Sequence, residues 1–249
     1  RVVTYNAHGC VGVDSKLSPA RIARVLSRHR PNIVALQEID VGRERSGGID
    51  QASKIAELLR MNYHFFPVVE EGEEKYGLAV LSFFPIREVK TGWLPGLIDK
   101  PKLEPRGAQW LELDCGGEKI QLVNTHLGLR KLERRQQVRA LLGEEWLGKL
   151  PDDEPVIICG DMNALPFSYV HTEISGRFPD VQILTREQRP RRTLYGRYPL
   201  GRIDHIFVSP HFEVRRVEVA RTTLARVASD HLPVFTELKL PEPVSGSAS

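Results

Sequence analysis

Short β-branched runs alternate with helical patterns along the chain. The runs predict strands over residues 2–5, 33–37, 78–82, 108–113, 120–125, 156–159, 203–208, 214–220 and 234–238. Cys115-Gly116-Gly117-Glu118, between two of them, reads as a hairpin turn. Helical spacing predicts helices over 19–29, with Ser18 as N-cap, over 50–59 and over 132–150. Several strands are apolar on both faces. In 203–208 one face carries Ile203, His205 and Phe207, the other Asp204, Ile206 and Val208. A strand covered on both sides belongs inside a layered structure. Hairpins mixed with βα crossovers predict an α/β fold of two mixed β-sheets packed face to face, with helices outside. No repeat or linker divides the chain, so one domain is expected over 1–240, then a flexible Pro/Ser/Gly-rich tail, 241–249.

The polar residues break this pattern in a repeated way: an apolar strand ends, and carboxylates, amides or imidazoles follow at once. Residues 2–5 run into Asn6 and His8, and 33–36 into Gln37 and Glu38. Leu122 and Val123 lead to Asn124, Thr125 and His126, residues 156–159 lead through Gly160 to Asp161 and Asn163, and Asp230 and His231 precede the last strand. If these ends converge, several carboxylates share one rim, and a bound cation is the natural counter-charge. Oxygen donors without a thiolate pair suit Mg²⁺, with Mn²⁺ as a substitute. The histidines are then free to hydrogen-bond a substrate or stabilise developing charge. Asp204 falls among apolar side chains, where an ionised carboxylate needs a partner. His231 is the expected one, its ring oriented and its pKa raised by Asp204.

Composition narrows the picture. The apolar share of 41% fits a globular core, and a net charge of +3 is far from that of a nucleic-acid-coating protein. Three cysteines at unrelated spacings favour a reducing, cytoplasmic compartment. The opening on Arg1 rather than Met leaves a secreted or periplasmic location as the alternative. No apolar run approaches the ~20 residues of a membrane span, so no stable membrane insertion is expected.

Six motifs occur in order: Thr4-Tyr5-Asn6-Ala7-His8-Gly9, Gln37-Glu38, Asn124-Thr125-His126-Leu127, Gly160-Asp161-Met162-Asn163, Arg202-Ile203-Asp204-His205 and Ser229-Asp230-His231-Leu232-Pro233-Val234. Together, and over nearly the whole chain, they resemble the endonuclease/exonuclease/phosphatase superfamily, whose members include pancreatic deoxyribonuclease, neutral sphingomyelinases and inositol polyphosphate phosphatases. The resemblance implies a four-layer α/β sandwich with the active site on the rim of the two sheets. It implies Glu38 as principal metal ligand with Asn6 and Asp230 beside it, and Asp161 as the residue that orients or deprotonates the attacking water. It further implies Asn163 as a phosphate-oxygen donor, and His126 and His231 flanking the phosphate, with Asp204 supporting His231. Nuclease-like members commonly carry Asp or Asn where this chain has His8. That departure is closer to the small bacterial hydrolases of the superfamily and favours one tightly held Mg²⁺ over two.

The remaining motifs are weaker. Gly143 to Leu150 imitates a phosphate-binding loop, but Leu150 stands where a metal-binding Ser or Thr belongs, and the segment reads as a helix end. His29, His64, His171 and His211 read as structural, His205 as locally hydrogen-bonded, and His8 as a substrate contact. Arg45, in a Ser46-Gly47-Gly48 loop with Arg43, and Arg106 are candidate phosphate forks. Two further basic clusters comprise Arg130, Lys131, Arg134, Arg135 and Arg139, and Arg189, Arg191, Arg192 and Arg197. The expected activity is hydrolysis of a phosphomonoester or phosphodiester by a monomer. A DNA endonuclease or exonuclease is the alternative, with nucleic acid not favoured as a partner. A phospholipid head-group hydrolase ranks lower, because no apolar hairpin stands out, and a silent binding module lower still.

Overall fold

In chain order the elements of the computed structural model are β1 (Val2–Asn6), α1 (Pro19–Ser27), β2 (Ile33–Val41), α2 (Gln51–Leu59), β3 (Asn62–Glu71), β4 (Glu74–Ser82), β5 (Ile86–Trp93), β6 (Gly107–Asp114), β7 (Lys119–His126), α3 (Lys131–Leu142), β8 (Val156–Asp161), α4 (Tyr169–Ser175), α5 (Val181–Leu184), β9 (Asp204–Val208), β10 (Glu213–Val219), α6 (Thr223–Ala228) and β11 (Val234–Lys239). The structure describes residues 1–185, 189–195 and 200–240. Arg197 and the 241–249 tail lie outside them.

Six strands form one sheet in the order β10-β11-β1-β2-β4-β3, and five form the other in the order β5-β6-β7-β8-β9. Each sheet is mixed and has one parallel pair: β1 with β2, joined by α1, and β7 with β8, joined by α3. The alternation of strand side chains builds the layers. Leu122, Ile157 and Ile206 of the second sheet share one core with Val3, Val34 and Leu36 of the first and with Ile22, Leu26 and Ile55 from α1 and α2. Their neighbours Val123, Ile158 and Phe207 point the other way, onto Val138, Leu141 and Ile174 of α3 and α4. Two sheets packed face to face between outer helices are the predicted fold.

The departures have local causes. β3 and β5 were not predicted, and both are edge strands. Pro67 interrupts the β3 pattern at a bulge, where an edge tolerates it, and β5 is largely polar. The predicted 132–150 helix stops at Leu142, capped by Gly143, and the chain turns before a short 3₁₀ segment, Leu147–Lys149. β2 continues past its predicted end to Val41, with a register shift between Leu36 and Ile39 that lifts Gln37 and Glu38 out of the ladder with β4.

Candidate active site

Strand register places the chemistry. Across the second sheet His126 lies opposite Asp161, and Asp161 opposite Asp204, so three strands deliver one residue each to a single row. In the first sheet Asn6 pairs with Gln37, and Glu38 follows at the bulge with a left-handed φ of 57°. The sheets are tied just beneath: Gln37 Nε2 donates to Asn124 Oδ1 at 2.8 Å, and Asn124 Nδ2 donates to the Leu36 carbonyl at 3.0 Å. Gly160 is required here, because at its φ of 146° any side chain would collide with the Thr125 carbonyl. Left-handed backbone at His8, Glu38, Asn163 and Tyr195, all lining the cleft, is strain held by the surrounding structure.

The row opens into a cleft of about 640 Å³. On its floor Asn6 Nδ2 donates to Glu38 Oε1 (2.8 Å) and to Asp161 Oδ2 (3.1 Å). Asp161 Oδ1 accepts the Asn163 backbone N–H at 2.9 Å. His231 Nδ1 lies 3.0 Å from Asp204 Oδ2, which fixes the proton on Nδ1 and turns Nε2 toward Asp161 Oδ2, 3.8 Å away. Arg106 Nη1 donates to His126 Nδ1 at 3.1 Å, so the His126 proton belongs on Nε2, 3.4 Å from Asp161 Oδ2. The Asn163 side-chain amide, held by the Leu127 carbonyl at 2.8 Å, sits 3.2 Å from His126 Nε2.

Electrostatics separate the two imidazoles. Burial, together with Arg106 alongside, pushes the His126 pKa well down and keeps that ring neutral. Burial also opposes a charge on His231, but Asp204 outweighs it and raises that pKa to about 10. Burial, with Asp204 adding to it, pushes the Asp161 carboxyl up.

The sequence candidates fall into an inner and an outer set. Glu38, Asn6, His126, Asp161, Asn163, Asp204 and His231 form the connected inner group described above. Asp230 stands further out, its carboxylate 3.8 Å from His8 Nδ1. His8 also lines the cleft and is anchored by its backbone N–H on Asn6 Oδ1. Arg45 and Arg106 both line the cleft, each pre-set by an acid: Arg45 grips Asp40 with two bonds of 2.6 and 2.9 Å, and Arg106 pairs with Glu104 at 2.7 Å. Arg43 is turned away, onto Glu71 and Glu74. Sequence reasoning missed Asp40, Tyr76, Glu104, Leu194 and Tyr195, which also line the cleft. Only Asp40, two residues beyond Glu38 on the same strand, carried a usable signal.

Two groups among the described residues bring ligand-type atoms within 4.8 Å of one another: Asp161 with Asp204 and His231, and His171 with Asp180 and His205. The second group is closed. Asp180 Oδ2 takes His171 (3.1 Å), His205 (2.8 Å) and Arg202 (2.9 Å), and Oδ1 takes the Gln182 N–H. His205 Nε2 is spent on the Ala164 carbonyl. On the cleft side Asp204 is committed to His231, whereas Glu38 keeps an oxygen free of the Asn6 bond. The three cysteines do not line the cleft. This hard-oxygen, thiolate-free set fits a divalent cation of the Mg²⁺ or Mn²⁺ kind.

The sequence pattern of the Endonuclease/Exonuclease/phosphatase family matches residues 3–231. The chain is 32% identical to YbhP of Escherichia coli (strain K12) over 171 residues, covering 68% of this chain and 64% of that protein, less than two thirds of its length. Among solved structures it is similar to the mannosyl-6-phosphatase Bt3783 of Bacteroides thetaiotaomicron VPI-5482, with a TM-score of 0.76 and 22% identity over 96% of this chain and 99% of that one. The human Nocturnin catalytic domain with bound sulfate gives a TM-score of 0.70 and 21% identity over 96% and 93%. Among the described residues no helix is long and apolar enough to cross a membrane.

Proposed function

Because the chain belongs to the endonuclease/exonuclease/phosphatase family, a family acting on phosphoester bonds, we propose that it hydrolyses a phosphate ester in this cleft with Mg²⁺, or Mn²⁺ in its place, held by Glu38. One observation carries the reading: Glu38, Asp161, His126 and the Asp204–His231 pair meet at the floor of one cleft with bonding capacity left over. A divalent cation bound there supplies charge that polarises the phosphoryl group and makes water easier to deprotonate.

The chain's own groups supply the rest. Asp161, its basicity raised by burial, orients the attacking water and accepts its proton. His231, kept protonated by Asp204, donates from Nε2 to the charge that develops in the transition state. Neutral His126 and the Asn163 amide offer N–H donors to the phosphoryl oxygens, and Arg45 and Arg106 hold the substrate's anionic end. Asn6 ties Glu38 to Asp161 and so couples the two halves of the site, while His8, with Asp230 behind it, stands on its outer wall.

A compact ester is favoured over a polynucleotide, because the cleft arginines Arg45 and Arg106 are each already paired with an acid, Asp40 and Glu104, which leaves little uncompensated positive charge for a phosphate backbone. The fold shared with a mannosyl-6-phosphatase makes sugar phosphates a sensible first set. The test is a panel of phosphomonoesters, including sugar phosphates, with phosphodiesters and supercoiled plasmid DNA, each assayed with Mg²⁺ and with Mn²⁺. Metal-stimulated release from small esters with little nicking is expected. Efficient nicking, or no hydrolysis across the panel, overturns the reading.

A further inference from the structure

The five most exposed large hydrophobic side chains among the described residues are Ile98, Phe167, Leu129, Leu132 and Leu200, from 100% down to 66% exposed. Scattered over a surface they would need no explanation. They all belong to loops, or to the helix turn directly after a loop, at one end of the five-stranded sheet. The register fixes that end: His126, Asp161 and Asp204 sit in one row, and the β5–β6 connection leaves from Trp93 and returns at Gly107, beside Ala108 and its partner Thr125. Leu129, Leu194 and Tyr195 carry the same apolar surface into the cleft mouth.

Cations flank the tips on three of these segments, Phe167 being the exception. Lys100 and Lys102 follow Ile98, Arg130 and Lys131 separate Leu129 from Leu132, and Arg191 and Arg192 precede Leu194. All six are exposed, and none makes an ion pair among the described residues. Asp99 is the one acid within these stretches. At the same end of the six-stranded sheet the β3–β4 turn exposes Glu70, Glu71 and Glu73 and no apolar tip. The cleft thus lies between this acidic turn and an apolar, basic rim.

We infer that the apolar, basic rim docks on the surface of an anionic phospholipid membrane, with the aliphatic tips entering the head-group and acyl boundary and the lysines and arginines meeting the lipid phosphates. Aliphatic tips ringed by cations are the composition of an interfacial anchor. A single-stranded nucleic acid would instead be met by a row of stacking rings, whereas here the aliphatic Ile98, Leu129, Leu132 and Leu200 outnumber the exposed rings Phe167, Trp93 and Tyr195. Docked this way, the protein presents its cleft to the head-group layer. The sequence suggested no such surface because the five tips are single residues spread over four separate segments of the chain.

Flotation of the whole protein with vesicles tests this without turnover, so it is read independently of the esterase proposal. The vesicles are phosphatidylcholine alone and phosphatidylcholine with about a third phosphatidylglycerol. The wild type is expected to float with the anionic vesicles only. Leu132→Ser/Phe167→Ser should lower partitioning about tenfold or more, and so, on a separate loop, should Ile98→Ser. Circular dichroism and hydrolysis of a soluble ester should stay unchanged in both variants. No flotation at low ionic strength overturns the inference. So does flotation that both variants leave intact while salt abolishes it, which is ionic adsorption alone. Loss of single-stranded oligonucleotide binding in the same variants, with no vesicle binding by the wild type, would reassign the surface to nucleic acid.

Discussion

Asp204 and His205 are neighbours in β9, yet they join two buried carboxylate–imidazole clusters on opposite faces of the same sheet. On the helix side every valence of the cluster is used: Asp180 accepts four donors, and both nitrogens of His205 are bonded. On the inter-sheet side Asp204 and His231 form an equally tight pair, but His231 Nε2 comes no closer than 3.8 Å to Asp161, and Asp161 and His231 both line the cleft. Residue type and burial are alike, so they do not make a site. Unspent hydrogen-bonding capacity facing a cavity does. The helix-side cluster serves the other indirectly, because His205 holds the Ala164 carbonyl three residues after Asp161.

Substitutions that treat the two clusters alike should therefore have unlike results. The largest effect is expected from Asp161→Asn, which keeps shape and removes the carboxylate proposed to accept the water's proton. It should lower kcat/KM about a thousandfold or more while hardly moving the thermal midpoint. His231→Ala should follow at about a hundredfold or more, and a near-normal rate in either variant would break the comparison. Asp180→Ala should do the reverse. It leaves Arg202 buried without a counter-charge and His171 and His205 without their shared partner, at a cost of about 3–5 kcal/mol in chemical denaturation, with turnover per folded molecule largely kept.

Acid sharpens the contrast further. Burial alone would raise the Asp180 pKa, but His171, His205 and Arg202 together hold it below the ordinary carboxylate range. A folded pKa below the unfolded one gives a contribution that is complete above about pH 4 and lost as the pH falls through the folded value. The wild type should lose stability on acidification below that point, and Asp180→Asn should show a flatter profile in the same melts. The smallest expected effect is that of Arg45→Lys. It replaces a two-pronged grip on Asp40 by a point charge and should raise KM up to about tenfold with kcat nearly unchanged.

Much of the inner site was legible because strand phase is simple. An Asp at position 204 of an apolar strand needed a partner, and His231 is that partner. Strand ends running into Asn6, Glu38, His126 and Asp161 foretold a shared rim, and register delivers it. Asp180 was not legible, because it lies between two short helices with no period to mark it, and its partners come from elements far apart in sequence. Glu104 was hidden for a similar reason, since holding Arg106 is a tertiary act, whereas Asp40, two residues beyond Glu38 on the same strand, was legible as a position but not as the partner of Arg45. The edge strands β3 and β5 escaped because an edge relaxes the apolar alternation that a central strand must obey. Apolar tips on loops escaped because no periodicity distinguishes an exposed leucine from a buried one.

Phosphate release by chelated protein, before and after Mg²⁺ is restored, tests the central claim most directly when wild type and Glu38→Gln are measured together. The wild type should fall silent with chelator and recover with the ion, and Glu38→Gln should stay silent throughout. Full turnover in chelator, or equal recovery in both proteins, would contradict the assignment of a divalent cation to Glu38.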